Sequence, residues 1–123
     1  MIQKLTRAEE EIMQMFWEKG PSLVSALIEE MPEPKPPHSS VSSVVRILEK
    51  KGFLDHKSYG KTYEYFSKIS KSEYSRFSLK KLISQYFEGS VNELVSFMVK
   101  ENDLTLGELE KIKKDISSTS KKL

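Results

Sequence analysis

Residues His38 to Lys68 constrain this chain more than any other stretch. They read His38-Ser39-Ser40-Val41-Ser42-Ser43-Val44-Val45-Arg46-Ile47-Leu48-Glu49-Lys50-Lys51-Gly52, then Phe53-Leu54-Asp55-His56-Lys57-Ser58-Tyr59-Gly60-Lys61-Thr62-Tyr63-Glu64-Tyr65-Phe66-Ser67-Lys68. Val41, Val44, Val45 and Leu48 recur at helical spacing and predict one buried stripe. The other faces carry Ser39, Ser40, Ser42, Ser43 and Arg46. Serine is a mediocre former of helix interiors, but a small hydroxyl on an exposed face leaves room for a large surface to approach closely. Gly52 suits the left-handed position just past a helix end. Two β-rich arms, Phe53–Lys57 and Thr62–Ser67, flank a turn at Ser58-Tyr59-Gly60-Lys61, and alternation puts Tyr63 and Tyr65 on one face. A helix feeding straight into a basic-tipped hairpin has the order of a winged helix-turn-helix.

The flanking segments complete that frame. Thr6-Arg7-Ala8-Glu9 is a capping box, and Ala8, Ile12, Met13, Phe16 and Trp17 follow at helical spacing up to the Gly20-Pro21 stop. Ser22 can cap a second helix with Leu23, Val24, Leu27, Ile28 and Met31 on its inner face. Pro32-Glu33-Pro34-Lys35-Pro36-Pro37 lacks amide donors at each proline and predicts a stiff extended loop. Glu9, Glu10, Glu11 and Glu18 read as a solvated face, and the methionines at 13, 15, 31 and 98 as gap-fillers.

Beyond residue 69, Ser70-Lys71-Ser72-Glu73, Ser90-Val91-Asn92-Glu93 and Thr105-Leu106-Gly107-Glu108 open three more helices. They carry Tyr74, Phe77, Leu79, Leu82, Ile83, Tyr86 and Phe87, then Val91, Leu94, Val95, Phe97, Met98 and Val99, then the thin seam Leu109, Ile112, Ile116. Residues 117–123 are Ser, Thr, Lys and a final Leu, and are expected to fray. Three short helices make a poor core of their own. Their apolar side chains imply a partner, and a second copy is the commonest one. The surface expected to dimerise is Leu94, Val95, Phe97, Met98, Leu109, Ile112 and Ile116.

The net charge of +2 says little, but its distribution is uneven. Residues 1–34 hold three basic and seven acidic side chains, residues 35–70 seven and three, and residues 71–123 ten and eight. A segregated basic segment attracts phosphate even in a nearly neutral chain. With no cysteine there is no disulfide and no thiolate metal centre. No apolar run approaches the roughly 20 residues that cross a bilayer, and no signal-peptide pattern opens the chain. The expected compartment is the cytoplasm, without membrane insertion.

Catalytic signatures are missing. The sequence has two histidines, His38 and His56, five glycines, no GxSxG, no HExxH and no phosphate-cradling loop. Asp55 and His56 adjoin in an expected strand, which sends them to opposite faces, so neither a metal site nor a cofactor is expected. The helix and wing instead offer hydroxyls and cations, the usual partners of phosphate and base edges. The expected nucleic-acid contacts are Ser39, Ser40, Ser42, Ser43, Arg46, Lys50, Lys57, Tyr59 and Lys61.

These same residues carry a family resemblance. Leu5-Thr6-Arg7-Ala8-Glu9-Glu10-Glu11-Ile12-Met13 with Phe16-Trp17 resembles the opening of the penicillinase repressor family of transcription factors. Ser40 to Leu54 resembles their recognition helix and first wing strand, and Tyr63-Glu64-Tyr65-Phe66 the second. Leu94-Val95-Ser96-Phe97-Met98, Asp103-Leu104-Thr105 and Glu108-Leu109-Glu110 resemble their dimerisation region. The resemblance implies a homodimeric repressor on a palindromic double-stranded operator, not an enzyme. Its recognition-helix contacts carry over to Ser39, Ser40, Ser42 and Ser43, where relatives often have Lys, Thr and Arg. Copper-responsive members carry a C-terminal cysteine cluster, which this chain lacks. In β-lactam-responsive members an Asn-Phe bond is cut, and a membrane-bound sensor protease commonly accompanies the family; here the position reads Phe97-Met98.

The expected fold is mostly α with a small β-wing: a winged helix-turn-helix DNA-binding domain over 1–69 and an α-helical dimerisation domain over 70–123. The expected function is repression through the third helix and wing, with release by proteolysis in the dimerisation region. The competing reading is a protein-interaction adaptor, which would show no salt-dependent DNA binding.

Overall fold

The computed structural model describes residues 2–101 and 104–120, with side chains described through 115. Two compact units divide the chain, 1–78 and 79–123. In order the elements are α1 (Arg7–Lys19), α2 (Val24–Glu29), α3 (His38–Lys50), β1 (Leu54–Tyr59), β2 (Thr62–Ser67), α4 (Lys71–Tyr86), α5 (Val91–Lys100) and α6 (Leu106–Ser120). This is the expected fold class, mostly helical with a two-stranded antiparallel wing. The helix α4 begins in the first unit and ends in the second.

The first unit is built around one face of α3. Val41, Val45 and Leu48 are buried and Val44 is half-buried, so the sequence stripe is the packed one. Against it lie Ile12, Met13 and Phe16 of α1, Val24 and Leu27 of α2, Phe53 and Leu54 after the Gly52 stop, and Tyr65 of β2. Gly52 has φ +87°, a value that side chains with a Cβ rarely adopt. Tyr74 of α4 closes the core. Its hydroxyl accepts from the Leu5 amide at 2.9 Å, and its ring lies 5.6 Å from Phe53 and 5.9 Å from Trp17. The Trp17 indole in turn donates to the Ile69 carbonyl at 2.9 Å.

Three local expectations are corrected. Ser22 does not cap α2. Leu23 holds that position without a side-chain cap, while the Ser22 amide and carbonyl exchange hydrogen bonds of 2.9 Å with Tyr65. A residue paired to a strand in this way is extended and its backbone is already committed. The bridge fastens β2 to the start of α2. The hairpin turn is two residues, not four: Ser58 pairs with Tyr63 and Tyr59 with Thr62, leaving Gly60 and Lys61. Gly60 at φ +66° supplies the positive angle that a two-residue hairpin needs at its first central position.

Glu9 is the third correction: it is buried, not solvated. The capping box holds it from behind, with the Glu9 amide donating to Thr6 Oγ1 at 3.2 Å and the Thr6 amide donating to Glu9 Oε1 at 2.9 Å. Lys51, just past α3, reaches the same carboxylate at 2.7 Å. A residue that only closes a helix start in sequence thereby ties the start of α1 to the end of α3. Glu10, Glu11 and Glu18 remain exposed.

The second unit holds few buried side chains. Among its described residues only Ile83 and Leu104 count as core. The capping box at Thr105 closes in both directions, as does the one at Ser70 in the first unit; at Ser90 only half of the box forms, the Glu93 amide donating to Ser90 Oγ while the Ser90 amide donates to the Phe87 carbonyl at 2.8 Å. Phe87 and Phe97 pack edge to face at 5.6 Å. Helix α6 runs to Ser120, past the point where fraying was expected. Serine and threonine cost a helix only about half a kcal/mol each.

Burial alone would push the Glu9 carboxyl up, but the bonds from Lys51 and Thr6 outweigh it and hold it below the ordinary value. A carboxyl depressed on folding stabilises the fold above its unfolded pKa. That contribution is lost as the pH falls through the lower, folded value. Glu9→Gln should therefore flatten the acid limb of stability against pH, measured by urea unfolding. Lys51→Met should cost about 1–3 kcal/mol at neutral pH, because it leaves a buried carboxylate short of a partner.

Candidate nucleic-acid interface

Burying one stripe of α3 turns its opposite face outward. Ser39, Ser43, Arg46 and Lys50 are exposed on that face, with Ser42 half-buried at its edge. The serine hydroxyls are oriented locally: Ser43 Oγ donates to the Ser39 carbonyl at 2.9 Å, and Ser42 Oγ lies 3.3 Å from His38 Nδ1. This return bond to the preceding turn lets serines sit mid-helix without leaving a hydroxyl unsatisfied.

Between α3, the start of α2 and the wing runs a groove of about 400 Å³. It is lined by Leu23, Val24, Ser25, His38, Ser42, Arg46, Lys61, Thr62, Tyr63 and Tyr65. The groove walls offer two permanent cations, several hydroxyls, an imidazole and no carboxylate. Burial pushes the Tyr65 phenol above its ordinary value, with Glu49 and Tyr63 adding to it and Arg46 opposing. Tyr65 therefore stays protonated at neutral pH.

The structure sorts the expected contact residues. Ser42, Arg46 and Lys61 come together in the groove. Ser39, Ser43 and Lys50 continue the exposed face of α3. Tyr59 stands at the wing tip, 60% exposed. Ser40 turns away, into a second and mostly apolar groove with Ala8, Ile12, Met15 and the proline loop. Lys57 also turns away. It sits opposite Glu64 in the hairpin register, with its ammonium 6.0 Å from the Phe66 ring centroid, on the face of the wing that does not carry Tyr63 and Tyr65.

The charge count of the sequence overstated the supply of cations. Lys35 spends its ammonium on the Ile28, Glu29 and Met31 carbonyls at 3.1, 2.8 and 2.9 Å, closing the end of α2. Lys51 is spent on Glu9. Sequence reasoning also missed Ser25 as a groove residue, since only the packing of α2 against α3 brings it to the groove.

One brace holds the wing to α3. His56 stacks on Tyr63 at 4.4 Å, lies 5.4 Å from the Tyr65 ring, and meets Glu49 Oε2 through Nδ1 at 2.5 Å. Three aromatic rings and a carboxylate thus bridge the helix end and both strands.

A three-helix core, an outward polar helix and a braced wing define a winged helix of the DNA-binding class. Comparison with known proteins takes this further. The penicillinase repressor family model matches residues 5–118, and the chain belongs to that family, one of transcriptional repressors and not of enzymes. It is 29% identical over 111 residues to the methicillin resistance regulatory protein MecI of Staphylococcus aureus, covering 89% of this chain and 90% of that one. It is 26% identical over 109 residues to the penicillinase repressor of Bacillus licheniformis, covering 87% and 84%. The solution structure of the DNA binding domain of the repressor BlaI superposes with a TM-score of 0.53 at 25% identity, over 60% of this chain and 92% of that one.

Gly60→Ala tests the wing. A Cβ at Gly60 meets nothing within 4 Å, so the cost is purely conformational. It should be about 1–2 kcal/mol, seen as faster amide hydrogen exchange confined to residues 54–67.

Proposed function

We propose that this repressor binds double-stranded operator DNA as a homodimer, placing α3 in the major groove and the wing on the adjoining backbone. The observation that carries the reading is the groove between α3 and the wing. Its walls present Arg46, Lys61, His38 and hydroxyls, with no carboxylate among them. Phosphate contacts from such groups set register. Ser39, Ser42 and Ser43 then face base edges, with Arg46 and Lys50 behind them. Tyr59 reaches the backbone from the wing tip. Ser40 and Lys57 drop out of this contact set, since both turn to other faces.

The homodimer is proposed from the second unit. Phe97, Leu106 and Ile112 are exposed in a single chain, α5 has no buried residue, and Leu94, Val95, Met98 and Leu109 are only half-buried. The side chain of Ile116 lies outside the described residues. A two-fold pairing through this surface would present two reading helices to the two halves of a palindrome.

Release by proteolysis, with a membrane-bound sensor protease as partner, is part of the same reading. The Phe97-Met98 position lies within α5, near its C-terminal end. A cut there needs α5 to open locally. Local opening costs less for a helix with no fully buried side chain in its own chain. Among the described residues no helix is long and apolar enough to cross a membrane; in this reading the membrane-bound protease is a separate protein.

Four outcomes test the reading. Ser43→Glu should abolish operator binding with the circular dichroism spectrum unchanged. Lys61→Ala should weaken binding about equally across sequences and lower the salt slope by about one unit; a slope equal to wild type would remove the wing from the phosphate contacts. Phe97→Asp should give monomers in sedimentation and much weaker binding to a full operator, because two tethered half-site contacts gain from effective concentration. During induction, full-length protein should disappear on an immunoblot. Intact repressor persisting while its genes switch on would sink the proteolytic step.

A further inference from the structure

The junction between α3 and the wing gathers three metal-ligating side chains. Glu49 projects from the last turn of α3, and Asp55 and His56 from the start of β1. One ligand atom from each lies within 4.8 Å of the other two. This is a mixed set from two elements, and two of its members are half-buried, with the Glu49 and His56 side chains 28% and 30% exposed.

The imidazole is held in place. Its ring stacks on Tyr63 at 4.4 Å with 27° between planes, which aims Nδ1 at Glu49 Oε2, 2.5 Å away. Asp55 curls back along its own strand, its Oδ1 accepting from the His56 amide at 2.8 Å. That hydrogen bond defeats the strand alternation that would separate the two side chains. Ligands oriented by stacking and by a backbone amide are what a metal site needs behind its first contacts.

We propose that Glu49, Asp55 and His56 form a divalent-cation site whose cation is zinc. One imidazole nitrogen and two carboxylate oxygens make a borderline donor set suited to zinc; a soft monovalent cation would ask for thiolates, and calcium for six or more oxygens. Water fills the remaining position. Zinc bonds of about 2.0–2.1 Å in a tetrahedral site place ligand atoms roughly 3.3 Å apart. Side-chain rotation therefore opens the Nδ1 to Oε2 contact and draws the Asp55 oxygen inward. The cation replaces one hydrogen bond between α3 and β1 with three bonds across Gly52, and so fixes the wing against the reading helix. Only this last consequence, for DNA affinity, rests on the proposed function; cation binding does not.

The test uses the full-length protein and Zn²⁺ competed against a chromophoric chelator, without DNA. Wild type should take up one zinc per chain with a dissociation constant of micromolar order. His56→Gln should weaken it about tenfold or more, and His38→Gln, at the exposed start of α3, should leave it unchanged. Asp55→Asn keeps the oxygen that accepts from the His56 amide, so it reads the ligand role even should His56→Gln fail to fold; it too should bind more weakly. Zinc should raise the thermal midpoint of wild type and not of Asp55→Asn. Wild-type affinity equal to that of Asp55→Asn, or lost in His38→Gln, overturns the site. Zinc that binds as expected but leaves operator affinity unchanged overturns only the link to the wing, while an absent zinc signal beside intact operator binding overturns the site and spares the repressor reading.

Discussion

One-sided burial of α3 is the constraint on which the rest depends. With Val41, Val45 and Leu48 fully enclosed, rotation of the helix about its axis is settled, because any turn would expose a valine and bury a serine or Arg46. Burying each of these aliphatic side chains stabilises the fold by about 1.5–3 kcal/mol. The outward polar face is thus a consequence of the core. The wing follows from the same fact: Phe53 and Leu54 enter the core directly after Gly52, so β1 must leave from the end of α3.

Backbone and charge then lock what the core has placed. The Ser22–Tyr65 bridge attaches the far strand of the wing to the start of α2, on the opposite side from the α3–β1 junction. The hairpin is held at both edges, which a two-stranded ribbon requires, since alone it is marginal in water. Glu9 and Lys51 clamp α1 to α3 at one end of the core. Lys35 clamps the proline loop to α2 at the other. These are short contacts, the Glu9–Lys51 pair partly enclosed and the Lys35 bonds at the surface, and among the described residues no buried side-chain polar atom lacks a partner.

The two units differ in what they bury. The first has a continuous core that recruits Tyr74 from α4, so the helix that opens the C-terminal region also seals the N-terminal one. The second leaves Leu79, Leu82, Tyr86, Val91, Phe97, Leu106 and Ile112 exposed. So much apolar surface on so short a stretch is the physical case for a partner.

Periodicity and punctuation in the chain were enough to determine the six helices, the hairpin, the α3 stripe and the capping boxes at Thr6, Ser70 and Thr105, because each depends on residues within a few positions of one another. Family membership was legible for the same reason, since its motifs are continuous. What a long side chain touches was not legible. Glu9 reads as solvated until Lys51 arrives from 42 residues away. Lys35 reads as part of a basic patch until three carbonyls claim it, and Ser22 reads as a cap until Tyr65 takes its backbone. Asp55 and His56 read as facing apart until a local amide bond turns the carboxylate and α3 supplies Glu49. Local pattern decides which residues form an element. Only tertiary packing decides which charges remain for a ligand, because a charge is spent on whatever partner the fold brings within hydrogen-bond reach.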